Sequence, residues 1–271
     1  MGLANNVSHN SACATAGVVQ PEPVSRFSHE PFEGRQFQFD RTIALIFDDM
    51  AARSIPGYFT TQQLCINLCK GFAANGTRIY DIGSATGTTI AMLLSQLQHF
   101  AGDIFGIEPS EAMRKLCEDK LNNLNLRGLD VPKQGNNIHV TLESVNIEDV
   151  TLVNASAILC NYTLHFVSPK LRQPIIDAFY EALIPGGFLV LSEKTSSGSV
   201  EEETRLRRDY HRFKELNGYS MDEILDKENA LFGLLTPLTI QENMQLLTNA
   251  GFRKSEIAFC APPFVTFVAW K

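Results

Sequence analysis

Apolar side chains fall at helical intervals through residues 39–54, FDRTIALIFDDMAARS, where Ile43, Ile46, Phe47 and Met50 share one face. Pro56-Gly57 in IPGYF breaks that helix, and residues 60–73 resume one with Leu64, Leu68 and Phe72 aligned. After the turn ANGT (74–77), short apolar runs alternate with helical periods. RIYDI (78–82) reads as a buried strand, and residues 87–98 as a helix with Ile90, Leu93, Leu94 and Leu97 inward. DIFGIE (103–108) is a second strand, and 110–124 is a helix capped by Ser110. IHVTLE (138–143) and ASAILCNYTL (155–164) are strands three and four, and Pro169 opens a helix over 169–183. The turn IPGG (184–187) leads to strand five, FLVLSEK (188–194). Such alternation predicts an α/β, doubly wound sheet with right-handed crossovers.

Residues 196–236 interrupt the alternation with a charged helical insertion. Gly218 ends one helix there, and Ser220 with Glu223 three residues on forms a capping box for the next. A last helix (239–250) precedes SEIAFCA and FVTFVAW, two alternating strands joined by Pro262-Pro263. A terminal hairpin is foreign to a dinucleotide-binding sheet. It suits a seven-stranded, Rossmann-like class I methyltransferase sheet whose last strand runs antiparallel.

Composition narrows the picture. The 271 residues, 44% hydrophobic, are enough for one large core, and no run approaches the roughly 20 apolar residues of a membrane helix. A formal charge of −7 argues against direct nucleic-acid binding. The six cysteines form no CxxC pair, which points to reduced thiols in a cytoplasmic protein and to no metal site. Residues 1–25 are small and polar without a signal-peptide pattern and read as a disordered tail. Residues 26–271 then form a single domain with helical cap segments at 37–73 and 196–236.

The chemistry concentrates at strand ends, where open α/β sheets bind ligands. In IYDIGSATGTTI (79–90) Gly83 and Gly87 bracket a tight turn, but Ala85 stands where a pyrophosphate-binding loop needs a middle glycine. S-adenosylmethionine (SAM) carries no phosphate, and Asp81 suits its methionyl amine. Glu108, 27 residues after Asp81, ends strand two where a carboxylate accepts both hydroxyls of a ribose diol. Asn146 follows strand three, where an amide oxygen can accept from an adenine amine. Asn161 ends strand four at the mouth of the cleft. His165, His211, Tyr58 and Tyr210 are candidates for a base, with no catalytic residue singled out among them.

The segments FDDMAARSIPGY, YDIGSATG, CNYTLHFVSP, LIPGGFLVLSEK, HRFKELNGYS and NAGFRKSE, in order, resemble the carboxy-S-adenosylmethionine synthase family from about Phe37 to the C-terminus. That family converts SAM and prephenate to carboxy-SAM for a tRNA wobble-uridine modification. The resemblance implies SAM ligands at Tyr58, Gly83, Ser84, Ala85, Glu108, Pro109, Asn146, Ile147 and Asn161, and a homodimer crossed by the insertion. One position departs: eight residues after the NGYS serine, the family's carboxylate-gripping arginine is Glu228 here. Two carboxylates repel, so this exchange disfavours carboxy-SAM. Arg205, Arg207, Arg208 and Arg212 lie in the same insertion and read as a solvated face.

The expected activity is therefore SAM-dependent methyl transfer to a small-molecule acceptor, with Tyr58, His165, Tyr210 and Glu228 on the substrate side. Carboxy-SAM synthesis with a rearranged arginine is one rival. A non-catalytic SAM-binding module and a nicotinamide oxidoreductase are the others.

Overall fold

The structure, a computed structural model, describes residues 36–126 and 137–271. The expected tail, 1–25, lies outside the described residues. Two helices, α1 (Arg41–Ser54) and α2 (Tyr58–Phe72), precede an alternating series: β1 (Arg78–Ile82), α3 (Thr88–Gln96), β2 (Gly102–Ile107), α4 (Glu111–Leu126), β3 (Ile138–Glu143), β4 (Ala155–Asn161), α5 (Pro169–Ala182) and β5 (Leu183–Lys194). The insertion forms α6 (Val200–Leu216) and α7 (Met221–Leu231); α8 (Ile240–Asn249), β6 (Lys254–Ala261) and β7 (Phe264–Trp270) close the chain.

The strands form one sheet in the order β3-β2-β1-β4-β5-β7-β6. β1 to β5 pair in parallel, and β7 runs antiparallel to both β5 and β6. The order reverses between β1 and β4, so the carboxyl ends of those strands open the crevice. Central strands are apolar on both faces because helices cover both. On one side Ile82, Ile158 and Leu189 pack with Ile176 and Phe179 of α5 and Leu247 of α8. On the other, Ile79, Leu159 and Val190 pack with Ile66 of α2 and Leu93 of α3. A third cluster seats α1 above α4 through Ile43, Ile46, Met50 and Met113. It starts at Asp40, whose carboxylate accepts the Ile43 N–H (3.0 Å).

Two strand limits differ from expectation by more than one residue. β4 ends at Asn161 because Tyr162 takes a left-handed backbone (φ 58°), and a 3-10 turn, Leu164–Phe166, follows. The Thr163 hydroxyl fixes this break by donating to the carbonyls of Ile82 (3.0 Å) and Asn161 (3.1 Å). β5 begins five residues early, at Leu183, because Ala155 pairs with Leu183 before the register shifts to Ala157–Phe188. The capping box expected at Ser220/Glu223 forms, and a second, not read from the sequence, forms at Thr239/Glu242.

Candidate active site

A cavity of about 400 Å³ opens beyond β1, β2 and β4 beneath α1. Its floor is the loop after β1. Gly83 (φ 72°) and Gly87 (φ 77°) turn the chain with left-handed backbones, and so does Ala85 (φ 46°), although it is not glycine. The N–H groups of Gly83 and Ser84 both donate to the Ile107 carbonyl (2.8 and 3.1 Å), pinning the loop to β2. The Ala85 N–H donates to Glu108 Oε2 (3.0 Å), and Ser110 N–H donates to Glu108 Oε1 (2.8 Å). Burial pushes the Glu108 carboxyl up from its ordinary range, and these two backbone donors pull it back.

Asp81, at the end of β1, is 2% exposed. Its Oδ2 has no partner among the described residues, and neither has Ser84 Oγ or Gln62 Oε1; all three residues line the cavity. Buried polar atoms are rarely left unpaired, so this cluster marks a place for ligand polar groups. Burial, then the nearby Glu108 charge, pushes the Asp81 carboxyl up to about 7. Asn161 Oδ1 accepts from Ser192 Oγ (2.7 Å), and Ser192 continues through Thr266 (3.0 Å) and Thr61 (3.5 Å) to Tyr162 (3.0 Å). This buried hydroxyl chain orients the amide and the phenol together. Asn146 Nδ2 donates to Asp149 (3.2 Å), leaving its oxygen to accept.

All ten residues read from the sequence as cofactor positions border this one cavity: Tyr58, Asp81, Gly83, Ser84, Ala85, Glu108, Pro109, Asn146, Ile147 and Asn161. The other substrate-side candidates do not. His165 is 4% exposed behind the cavity wall, its Nδ1 at 3.3 Å from both Glu193 Oε2 and the Lys194 N–H. Its carbonyl accepts from Thr236 N–H (3.0 Å), which makes it a packing residue of the β4 exit. Tyr210 stacks edge-on with Phe264 (5.6 Å) beneath the Lys194 and Lys214 ammonium groups. Glu228 is held on the insertion by Arg207 Nε (2.9 Å) and lies 3.4 Å from His211 Nε2. Hydrogen bonding to Arg207 holds the Glu228 carboxyl below its usual range. Arg207 lies on the solvated face expected of it, its side chain 56% exposed, and from there it pairs with Glu228.

Sequence reading missed Phe39, Phe47, Gln62, Tyr162 and Phe166, which also line the cavity. Tyr162 and Phe166 stood inside the quoted CNYTLHF, but the backbone reversal that turns Tyr162 to the cavity has no signature in residue type. Burial pushes the Tyr162 and Tyr58 phenols well up, so both are neutral and neither is a base at physiological pH.

Residues 79–187 match the profile of a methyltransferase domain. A carboxy-S-adenosyl-L-methionine synthase of Nautilia profundicola is 34% identical over 245 residues, covering 90% of this chain and 97% of that protein. The chain belongs to the carboxy-S-adenosyl-L-methionine synthase family. A family member from a Shewanella species is also 34% identical, over 87% of this chain and 93% of its own. Among solved structures, the Haemonchus contortus phosphoethanolamine N-methyltransferase 2 in complex with SAM superposes with a TM-score of 0.55 at 12% identity. It covers 86% of this chain and 58% of that one, and shows the shared class I methyltransferase fold. The protein is thus a SAM-dependent enzyme of that fold, and no helix of the described residues is long and apolar enough to cross a membrane.

Proposed function

We propose that this family member is a methyltransferase acting on a small-molecule acceptor. The observation that carries the reading is the charge of the cavity. Asp81, Glu108 and Glu148 line it, and among its described lining residues there is no Lys, Arg or His. Such a wall favours a cationic cofactor and opposes an additional carboxylate, which would need a cation beside it.

The residues fit SAM. Asp81 takes the methionyl ammonium, which satisfies the orphaned Oδ2. Glu108 uses one lone pair on each oxygen for backbone N–H groups and keeps others for the ribose diol. Asn146 offers an acceptor to the adenine amine, with Ile147 and Pro109 as its apolar walls. Bound SAM supplies an electrophilic methyl carbon on a positive sulfur. The chain's part is to hold the nucleophile in line with that carbon and to keep water out beneath α1. Phe39, Phe47 and Phe166 line the roofed cavity, which supports a compact acceptor rather than a macromolecule.

The reading includes a homodimer and a cytoplasmic location. Leu216, Met221, Leu225 and Phe232, exposed on and beside α6 and α7, support the dimer. The five described cysteines, all free thiols, support a reducing compartment.

Carboxy-SAM synthesis is the second reading, favoured by the relatives' shared name. Mass spectrometry of the nucleoside that co-purifies with the protein separates the two. SAM or S-adenosylhomocysteine is the expected species; carboxy-SAM would overturn the proposal. S-adenosylhomocysteine formation on addition of acceptors excludes a silent binding module.

A further inference from the structure

Helix α1 roofs the cavity, and contacts at both ends and in the middle hold it. Just ahead of the helix, the Phe37 N–H donates to the Ala230 carbonyl (3.0 Å). At its far end the Arg53 guanidinium lies 4.2 Å from the centre of the Tyr219 ring. The middle tie reaches the cofactor loop itself. Asp48 Oδ1 accepts from the hydroxyls of Thr86 (2.5 Å) and Thr88 (3.0 Å), and Oδ2 accepts from Lys120 Nζ (2.7 Å). Lys120 Nζ also donates to Thr88 Oγ1 (2.7 Å) and Thr86 Oγ1 (3.2 Å), so four side chains from α1, the loop, α3 and α4 form one closed set.

Thr86 and Thr88 flank Gly87 and line the cavity, and so does Phe47, next to Asp48. Asp48 does not line it. Asp48 and Lys120 border a second cavity of about 390 Å³ between α1 and α4, and Thr86 borders both cavities. The set therefore stands as a partition between the two spaces. The Asp48 side chain is 48% exposed, so water can reach the groups it bonds.

We propose that Asp48 is a positioning residue: it clasps the roof helix to the cofactor loop and sets the rate at which SAM enters and leaves. The proposal rests on the SAM reading above. On this proposal the roof parts from the loop as ligand passes, and the clasp bonds are broken in that opened state and formed in the closed state, free or bound. Loosening the clasp therefore speeds entry and exit alike and leaves affinity nearly unchanged. Damage to the site itself would weaken affinity without faster entry.

The test is the displacement of labelled SAM by excess unlabelled SAM, with association rates measured in parallel. Asp48→Ala should speed release about tenfold, with a similar gain in association; Lys120→Met, which leaves the two threonine bonds to Asp48, should speed it less, and the double variant should be no faster than Asp48→Ala because Asp48 is the member of the set on α1. Asp48→Asn keeps an acceptor for the threonine hydroxyls and should fall between wild type and Asp48→Ala. Thermal unfolding identifies any variant that has lost its fold; if Asp48→Ala has, the intermediate gains expected of Asp48→Asn and Lys120→Met carry the test. Release within twofold of wild type, faster release with no gain in association, or rate effects that multiply in the double variant would overturn the clasp. A wild-type protein that binds no SAM would remove the cofactor reading, and the clasp with it.

Discussion

Asp81→Asn is expected to weaken SAM binding at least a hundredfold, about 2.7 kcal/mol, while making the unliganded protein more stable at pH 8. Both effects follow from one buried charge. With its carboxyl pushed up to about 7, chiefly by burial and then by Glu108, Asp81 resists ionisation in the ligand-free fold. The sign is opposite to that of an ion-paired aspartate. Below the ordinary aspartate value near 3.8 the group is neutral folded or unfolded and makes no difference. As pH rises from there to about 7 the unfolded chain ionises and the folded one lags, so stability is lost, and the loss is complete above about 7. Asparagine is neutral throughout and escapes this cost. A bound ammonium reverses the balance by favouring the carboxylate. Wild-type affinity should therefore rise with pH up to about 7 and then level, with a proton released on binding below that point. Calorimetry across pH 5.5–8.5 in buffers of different ionisation enthalpy measures affinity and proton release together. Wild-type-like affinity in Asp81→Asn, or affinity that ignores pH, would remove Asp81 from the cofactor's ammonium.

Nine of the ten candidate cofactor positions come together at one cavity because of topology, whereas Tyr58, on α2, is implied only by the family resemblance. Once β1, β2, β3 and β4 are recognised as parallel neighbours, the residues just past their carboxyl ends must share one crevice. Strand and helix identity was readable too, since period two and period 3.6 are written directly in residue order. What depended on how separate elements meet was not. The sequence shows α1 as an amphipathic helix but not that Phe47 faces the cavity while Asp48 turns to Thr86. It shows His165 four residues past the strand end expected to hold a ligand, but not that the left-handed turn at Tyr162 carries it behind the wall. Glu228 and Arg207 lie 21 residues apart on different helices, and their pairing depends on the angle between α6 and α7.

The floor of the cavity supplies the other large expected effect, through two substitutions of opposite character. Gly83→Ala should cost roughly 2–5 kcal/mol, adding a left-handed residue to an overpacked contact, a large share of a typical domain's 5–15 kcal/mol. The backbone there has φ 72°, and a Cβ would sit 2.2 Å from Thr163 Oγ1 and 2.9 Å from Thr163 Cγ2. Thr163 cannot simply swing away, because its hydroxyl ties the Ile82 carbonyl to that of Asn161. Displacing it disturbs both ends of the cofactor site, so SAM affinity should fall more than tenfold even where the protein still folds. Ala85→Gly, two residues on, should change stability by less than about 1 kcal/mol. Relief of the left-handed strain is offset by the greater freedom of glycine in the unfolded chain and by a lost methyl contact. That methyl packs in the cluster holding Phe47 and Met113, beneath the roof helix. The position a pyrophosphate would require as bare backbone is thus used to seat α1, which is why an alanine is stable in a conformation that favours glycine. Urea unfolding and SAM calorimetry on both variants check the contrast. Equal stability of Gly83→Ala and wild type would mean that Thr163 does not restrain the loop, and a large loss in Ala85→Gly would mean that the methyl contact outweighs the backbone strain.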